Sequence, residues 1–286
     1  MHLHFPASSL DLGITRVMGI LNVTPDSFSD GGLYACTDTA LKRALAMVEE
    51  GADIIDVGGE STRPGATPVD VATEIDRVVP VIEAIRAESP VPISVDTSKP
   101  EVMRASAAAG ASMLNDVRAL RVAGAVDAAA ELGLPVCLMH MQGVPGSMQA
   151  APNYDDVVYE VLDFLKRRVE VCVAAGMNAA NIVIDPGFGF GKTLEHNLAL
   201  LHGINVFVGT GQPVLIGVSR KSMIVKLFGD DATERVNGSV TLALAAASKG
   251  THIIRVHDVR QTVDALKIEA AQEGRDRLAA GRRTTA

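Results

Sequence analysis

EEGADIIDVG, residues 49–58, ends a helix-period segment, breaks at Gly51 and then runs apolar around Asp56. Gly51 stands where a helix C-terminus needs a left-handed residue, which glycine supplies without steric cost. The same succession of helix end, glycine and β-rich run returns in AAGASMLNDV (108–117), ELGLPVCLMH (131–140), AAGMNAANIVID (174–185) and SKGTHIIRVH (248–257). Gly110, Gly133, Gly176 and Gly250 take the place of Gly51. Amphipathic segments fill the intervals, such as TDTALKRALAMVEE with Leu41, Leu45 and Val48 on one face. In SKPEVMRASAAAG (98–110), Ser98 is the expected N-cap and Pro100 falls in the first turn. The helix expected over 71–88 contains Pro80, which predicts a kink or break.

Eight apolar runs alternate with these helices, around 17–21, 53–57, 92–96, 112–115, 135–139, 182–185, 214–218 and 252–256. NIVID and PVLIGV are continuous rather than alternating, as parallel strands covered on both faces are. Eight βα units in about 250 residues predict an α/β fold of the (β/α)₈ TIM-barrel type, with its site at the C-terminal strand ends. The rival is an open doubly wound sheet, which would gather its polar groups at one switch point. Here they recur along the whole chain, which favours the barrel. No Pro/Ser linker divides the sequence, so a single domain is expected, with a core over about 16–268 and a frayed tail at 274–286.

The 286 residues are 48% hydrophobic and 21% charged, enough apolar content for a sizeable core. A formal net charge of −8 argues against nucleic acid or an anionic membrane as a main partner. Any bound anion therefore needs a local cluster of cations. Cys36, Cys137 and Cys172 have no CxxC spacing and leave an odd thiol, which points to a reduced, cytoplasmic compartment. The opening MHLHFPASSLDLG lacks the pattern of a secretory signal, and no stretch approaches the ~20 apolar residues of a membrane span. A soluble protein is expected.

Seven of the apolar runs carry polar groups at their ends: Asn22, Asp56, Asp96, Asn115 with Asp116, Asp185, Arg220 with Lys221, and Arg255 with His257. An unpaired buried charge costs several kcal/mol, so such groups persist where partners or a ligand meet them, and one shared site is expected. Asp96, Asn115 and Asp185 would form an acceptor-rich wall, suited to the guanidine-like edge of a fused heterocycle. Helix N-caps are the alternative; that fits Asp96 before TSKP but fits Asp185 poorly, because PGFGFG follows it. DPGFGFGKT (185–193) matches neither the P-loop, since Pro186 stands at the first glycine position, nor the dinucleotide fingerprint. Its glycines space Phe188 and Phe190 on a tight loop that could set one ring against a planar ligand.

Arg220, Lys221, Arg255 and His257 would gather positive charge beyond the seventh and eighth strands, where barrels often bind phosphate. NVTPDSFSDGG (22–32) begins a connection of about 14 residues, long enough for a lid whose Phe28 could cover a flat substrate, though its turn residues also suit a plain loop. Thr62 and Arg63 in GGESTRPGA (58–66) suit a carboxylate or phosphate, and a surface loop remains open on those residues alone. His140 has no second ligand at metal spacing, so it is expected to be a satisfied polar tip near the rim. Asn22 offers one oxygen, sufficient for Mg²⁺ held mainly by substrate phosphates and water.

Together, MGILNVTPDSFSDGG, DVGGESTRPGA, SVDTSKPEV, LMHMQG, DPGFGFGK, VSRKSMI and IIRVHDV resemble the dihydropteroate synthases of the bacterial folate pathway, from about residue 16 to about residue 268. The resemblance implies a barrel that condenses 6-hydroxymethyl-7,8-dihydropterin diphosphate with 4-aminobenzoate, releasing diphosphate. It also implies a sulfonamide target and a homodimer. Carried over by motif, Asp96, Asn115, Asp185 and Lys221 would hold the pterin, with Asp96, Asp185, Lys221 and Arg255 as the catalytic group. Asn22 would meet Mg²⁺ on the diphosphate, which Thr62, Arg255 and His257 would bind. Phe28, Arg63, Pro64, Phe190 and Ser222 would shape the aminobenzoate site. A pterin-binding methyltransferase domain shares the Asp/Asn/Asp wall but would not need the cations Arg63, Lys221 and Arg255. A non-catalytic pterin-binding paralogue would have lost its diphosphate or loop residues, and none is missing.

Overall fold

Side chains that alternate between two destinations organise this chain: one set packs under the helices, the other fills the inside of a closed sheet. A computed structural model describes residues 1–24, 32–62, 65–143, 148–229 and 231–272. The expectations for Phe28, Arg63, Pro64 and the tail at 274–286 lie outside those residues.

An antiparallel hairpin, β1 (His2–His4) and β2 (Ser9–Asp11), precedes eight parallel strands. These are β3 (Arg16–Asn22), β4 (Ile54–Gly58), β5 (Ile93–Asp96), β6 (Met113–Asp116), β7 (Val136–Met139), β8 (Ile182–Asp185), β9 (Leu215–Ile216) and β10 (Ile253–Val256). Sequence neighbours pair side by side from β3 to β8, and β10 joins β3 to β9. A parallel bridge between Ile184 and Val214 closes the ring, supported by the Ile184 N–H donating to Pro213 O at 2.9 Å. All eight expected runs are barrel strands.

Helices α1 (Gly32–Glu49), α2 (Val71–Glu88), α3 (Pro100–Ala108), α4 (Ala125–Leu132) and α5 (Val157–Ala174) follow the first five barrel strands in turn. After β8 come α6 (Leu194–His202) and α7 (Ile204–Val208); after β9 come α8 (Ser222–Phe228) and α9 (Ala232–Ala247); α10 (Val259–Gln272) follows β10. Gly51, Gly110, Gly133, Gly176 and Gly250 all take the expected left-handed φ, between 63° and 110°.

Two expectations about helices are corrected. The break allowed for at Pro80 is absent: the helix runs from Val71 to Glu88, with Val78, Val81, Ile82 and Ile85 buried against the barrel while Pro80 and Asp76, the residue four before it, face solvent. The carbonyl that proline leaves unbonded can therefore be hydrated. The N-cap of α3 is Lys99, without a side-chain cap, and Pro100 opens the helix. The Ser98 hydroxyl donates instead to Asp116.

Outward-facing Val17, Leu21, Ile55, Val57, Val95, Leu114, Leu138, Ile184 and Ile254 form the main core with the helices. Inward-facing Met18, Ile54, Met113, Cys137, Val183, Leu215 and Ile253 form a second cluster with Leu3, Phe5 and Leu12 of the hairpin segment. The hairpin thus plugs the N-terminal mouth, and Asn181 anchors it by exchanging two 3.1 Å hydrogen bonds with the His4 backbone. Its three-residue strands are too short to reveal a period of two, and the sequence reading missed them. With the lower mouth filled by apolar groups, polar inward side chains remain for the upper mouth.

Candidate active site

Inward positions two residues further along the strands carry a change of chemistry. Above Ile54 on β4 stands Asp56, above Met113 on β6 stands Asn115, above Val183 on β8 stands Asp185, and above Ile253 on β10 stands Arg255. Asp96 on β5 lies level with Asn115 in the sheet. The polar strand ends therefore converge because the pleat alternates and the sheet closes.

Arg255 ties this layer together. Its Nε is 2.6 Å from Asp56 Oδ2, and its Nη2 is 2.9 Å from Asp96 Oδ2. Asn115 Nδ2 donates to the same Asp56 oxygen at 3.0 Å. Thr62, Asp96, Asn115, Val117, Met139, Asp185, Phe188, Phe190, Gly217, Lys221 and Arg255 line one narrow cavity at this mouth.

Burial pushes Asp96 up to about 7, aided by Asp56, Asp116 and Glu74 and opposed by Arg255. Asp185 is likewise raised by burial, to about 6, although the Gly187 N–H donates to it at 2.7 Å and Lys221 and Lys192 oppose the rise. Lys221 is lowered to about 8 by burial and by Arg255. Two carboxyls poised near neutrality beside two cations make a site whose charge responds to what enters it.

The loop after β8 is set by close backbone approach. A Cβ on Gly187 (φ +71°) would lie 1.9 Å from His140 O, and one on Gly191 would lie 2.6 Å from Gln142 O. Phe188 borders the cavity from the main core, and Phe190 meets it with Lys221 Nζ 4.2 Å from its ring centre. Lys192, only 2% exposed, donates to Gly187 O (2.9 Å) and Phe190 O (3.0 Å) and lies 3.0 Å from His140 Nδ1. The lysine of this motif is a staple for its own loop. Burial and Lys192 lower His140 to about 2, so its ring is neutral and its Nδ1 accepts from the lysine. His140 is the satisfied polar group expected of it.

The expected cation cluster is only partly present. Arg220 takes a left-handed φ of 55° and pairs with Asp258 at 2.5 and 3.1 Å, which removes it from the site. Burial and the neighbouring Arg255 and Arg220 lower His257 to about 3, so it is a neutral ring, with Nδ1 3.0 Å from the Ser219 hydroxyl. Neither His257 nor Ser222 lines the cavity; Ser222 is exposed beside Lys221 at the start of α8. Thr62 does line it, at the end of a segment whose Glu60 is held, with buried Glu74, by Lys99.

Asn22 is level with Gly58 in the sheet. A Cβ there would meet Asn22 Oδ1 at 3.8 Å and Asp96 Oδ2 at 3.9 Å. Asp96 Oδ2 is already held by Arg255, so the Asn22 oxygen, a hard donor of the kind Mg²⁺ takes, is the one this position offers a cation. Among the described residues no group of three His, Cys, Asp or Glu could hold a metal, so such an ion would depend on oxygens from its ligand and water.

Sequence reasoning left Asp56 without a role, although it sat in the first apolar run considered. The signal was its even spacing from Ile54, which puts both on the inner face. Val117, Met139 and Gly217 carry no chemical signature in sequence and were missed for that reason.

Comparison with known proteins places the chain. Residues 18–257 match the family model described as pterin binding enzyme. The dihydropteroate synthase of Escherichia coli (strain K12) is 54% identical over 271 residues, covering 95% of this chain and 96% of that protein. A Yersinia pestis dihydropteroate synthase solved with a sulfonamide drug is 51% identical, covers 96% of this chain and 100% of its own, and superposes with a TM-score of 0.91. The Xanthomonas albilineans enzyme in complex with 7,8-dihydropteroate is 48% identical, covering 96% and 99% of the two chains, with a TM-score of 0.87.

Proposed function

The chain belongs to the family of pterin-binding enzymes, and on that premise we propose how its upper cavity carries the dihydropteroate synthase reaction. That reaction condenses 6-hydroxymethyl-7,8-dihydropterin diphosphate with 4-aminobenzoate to 7,8-dihydropteroate and diphosphate, a step of folate synthesis. The observation that carries the reading is the junction of an acceptor wall (Asp96, Asn115, Asp185) with the cations Lys221 and Arg255 in one cavity.

The wall accepts from the N–H groups of the pterin, while Lys221 donates to its carbonyl and imine edge. Phe190, against Lys221, and Met139 flank the flat ring. The C–O bond to diphosphate breaks ahead of C–N formation, and its electron pair leaves on the diphosphate oxygen. The positive charge on the exocyclic carbon spreads into the electron-rich ring, beside Asp96 and Asp185. The arylamine nitrogen then bonds to that carbon and loses a proton to solvent. No strong base is required, which agrees with a cavity lined by no free histidine or thiol among the described residues.

Thr62 and Arg255 hold the leaving group, and His257 meets it as a neutral hydrogen-bonding ring at the rim. Asn22 would hold Mg²⁺ there; when bound, the ion neutralises charge on the departing diphosphate. Arg63, Pro64, Phe28, Phe190 and Ser222 shape the aminobenzoate pocket, which sulfonamides occupy in its place. Aminobenzoate binds second, after the segments 22–32 and 58–66 close over bound diphosphate. A cytoplasmic homodimer completes the reading; free thiols at Cys36, Cys137 and Cys172 support a reduced compartment, and no described helix is long and apolar enough to cross a membrane. Incubating purified protein with both substrates and Mg²⁺ tests the function. Dihydropteroate and diphosphate should appear in equal amounts, and diphosphate without dihydropteroate would contradict it.

A further inference from the structure

We infer that Asp56 is a positioning residue that fixes the direction in which Asn115 reads the pterin, and so sets the preference for a 2-amino over a 2-oxo pyrimidine ring. The inference rests on the pterin-synthase reading of this cavity.

Asp56 is 0% exposed, and no part of it is among the groups lining the cavity. Its Oδ2 accepts from both Arg255 Nε (2.6 Å) and Asn115 Nδ2 (3.0 Å). An oxygen already holding a guanidinium accepts and does not donate, so Asn115 must turn its NH₂ group toward it. That leaves the Asn115 carboxamide oxygen and the second amide hydrogen for the cavity. An acceptor beside a donor complements the N1 and 2-amino edge of a pterin, where a ring nitrogen accepts and an amino group donates. A flipped carboxamide would set oxygen toward Asp56, two acceptors face to face in a buried site, which is costly.

The sheet makes this contact possible. Asp56 lies on β4 and Asn115 on β6, with β5 between them. The β5 residue level with Asp56 is Ser94, whose small side chain leaves space for the bond to pass. Gly58, the next inward position on β4, has no side chain to lie over it. Asp56 thus reaches across a strand to orient a group it does not share with the ligand.

The test compares kcat/KM for 6-hydroxymethyl-7,8-dihydropterin diphosphate and for its 2-oxo (dihydrolumazine) counterpart. A site built to hydrogen-bond one group rejects the analogue lacking it by ~10⁴-fold or more. In Asp56→Val, no acceptor faces Asn115, its carboxamide can turn either edge to the ligand, and the preference should fall at least ~10-fold as the analogue is accepted. In Asp56→Asn, one carboxamide oxygen can still accept from both Arg255 Nε and Asn115 Nδ2, and the preference should be kept. General damage lowers both substrates alike and leaves the ratio in place. An unchanged ratio in Asp56→Val overturns the inference, whether read from turnover or, in an inactive variant, from calorimetric binding of 6-hydroxymethylpterin and 6-hydroxymethyllumazine. If Asp56→Val does not fold, the smaller Asp56→Ala is read in the same way. Failure of wild-type protein to use the pterin substrate would instead contradict the synthase reading.

Discussion

Arg255 shares one guanidinium between two carboxylates, with Nε 2.6 Å from Asp56 and Nη2 2.9 Å from Asp96. Burial penalises the cation, but Asp56 and Asp96 together raise its hold on the proton above the ordinary arginine value. The pterin wall and the principal cation of the site are therefore one unit. Whatever binds Asp96 acts on the same group that is proposed to meet diphosphate.

Breaking that unit should be costly. Arg255→Met leaves Asp56 and Asp96 facing each other with no cation between them. Removing one partner of a buried pair typically costs about 3–5 kcal/mol, and loss of one electrostatic donor lowers kcat ~10²-fold or more. Denaturant unfolding with an unchanged m-value, alongside steady-state kinetics, checks both figures.

The raised carboxyls give a signed pH dependence. Asp185 is held near 6, above its ordinary value of 3.8, so the folded state binds this proton more tightly than the unfolded chain does. Its contribution to stability is full below ~4 and is lost as pH rises through about 6. A ligand offering N–H groups favours the ionised form, so pterin affinity should rise across the same window, with protons released on binding. Calorimetry in buffers of different ionisation enthalpy measures this. Asp185→Asn should weaken binding and flatten the Asp185 part of the profile; a wild-type affinity independent of pH would contradict the assignment.

Gly187 should tolerate no side chain. Its φ of +71° and the 1.9 Å approach to His140 O mean that Gly187→Ala displaces the loop carrying Phe190. Gly176→Ala is the control, since its φ is +93° but nothing lies within 4 Å of the added carbon. The control should cost about 1 kcal/mol from backbone strain alone. Gly187→Ala should cost clearly more and abolish pterin binding; equal melting temperatures for the two variants would refute the tight-packing argument.

Lys221 is buried enough to be lowered to about 8, as a Schiff-base lysine would be. Its place against the Phe190 ring argues for orientation of the substrate. Borohydride added during turnover should leave the mass of Lys221 peptides unchanged, and Lys221→Gln should lower kcat/KM. A reduced substrate adduct on Lys221 would assign it a covalent role.

The order of binding is also open to measurement. Titration of 4-aminobenzoate into protein alone should give no detectable heat, and titration in the presence of a pterin, diphosphate and Mg²⁺ should give saturable binding. Equal affinity under both conditions would remove the ordered sequence.

The barrel was legible because each helix–glycine–strand unit repeats the same physics: a left-handed residue ends a helix, and an apolar run follows. Asp96, Asn115, Asp185, Lys221 and Arg255 were legible because a polar or charged residue at the end of an apolar run demands a partner. Four things escaped. The hairpin at His2–Asp11 was too short for periodicity. Continuity through Pro80 depended on which side of the helix faces water. Asp56 needed the pairing register, since only the sheet makes it the neighbour of Ser94 and a partner of Asn115. His257 was misread as a cation because a residue's charge depends on burial and on the arginines around it, neither of which local sequence carries.

A crystal structure of this protein with 6-hydroxymethylpterin tests the central claim most directly. The ring should lie in the upper cavity, its N–H groups about 2.7–3.1 Å from oxygens of Asp96, Asn115 and Asp185. A ring lodged instead in the groove at the opposite mouth, between Phe5 and Arg104, would contradict the account.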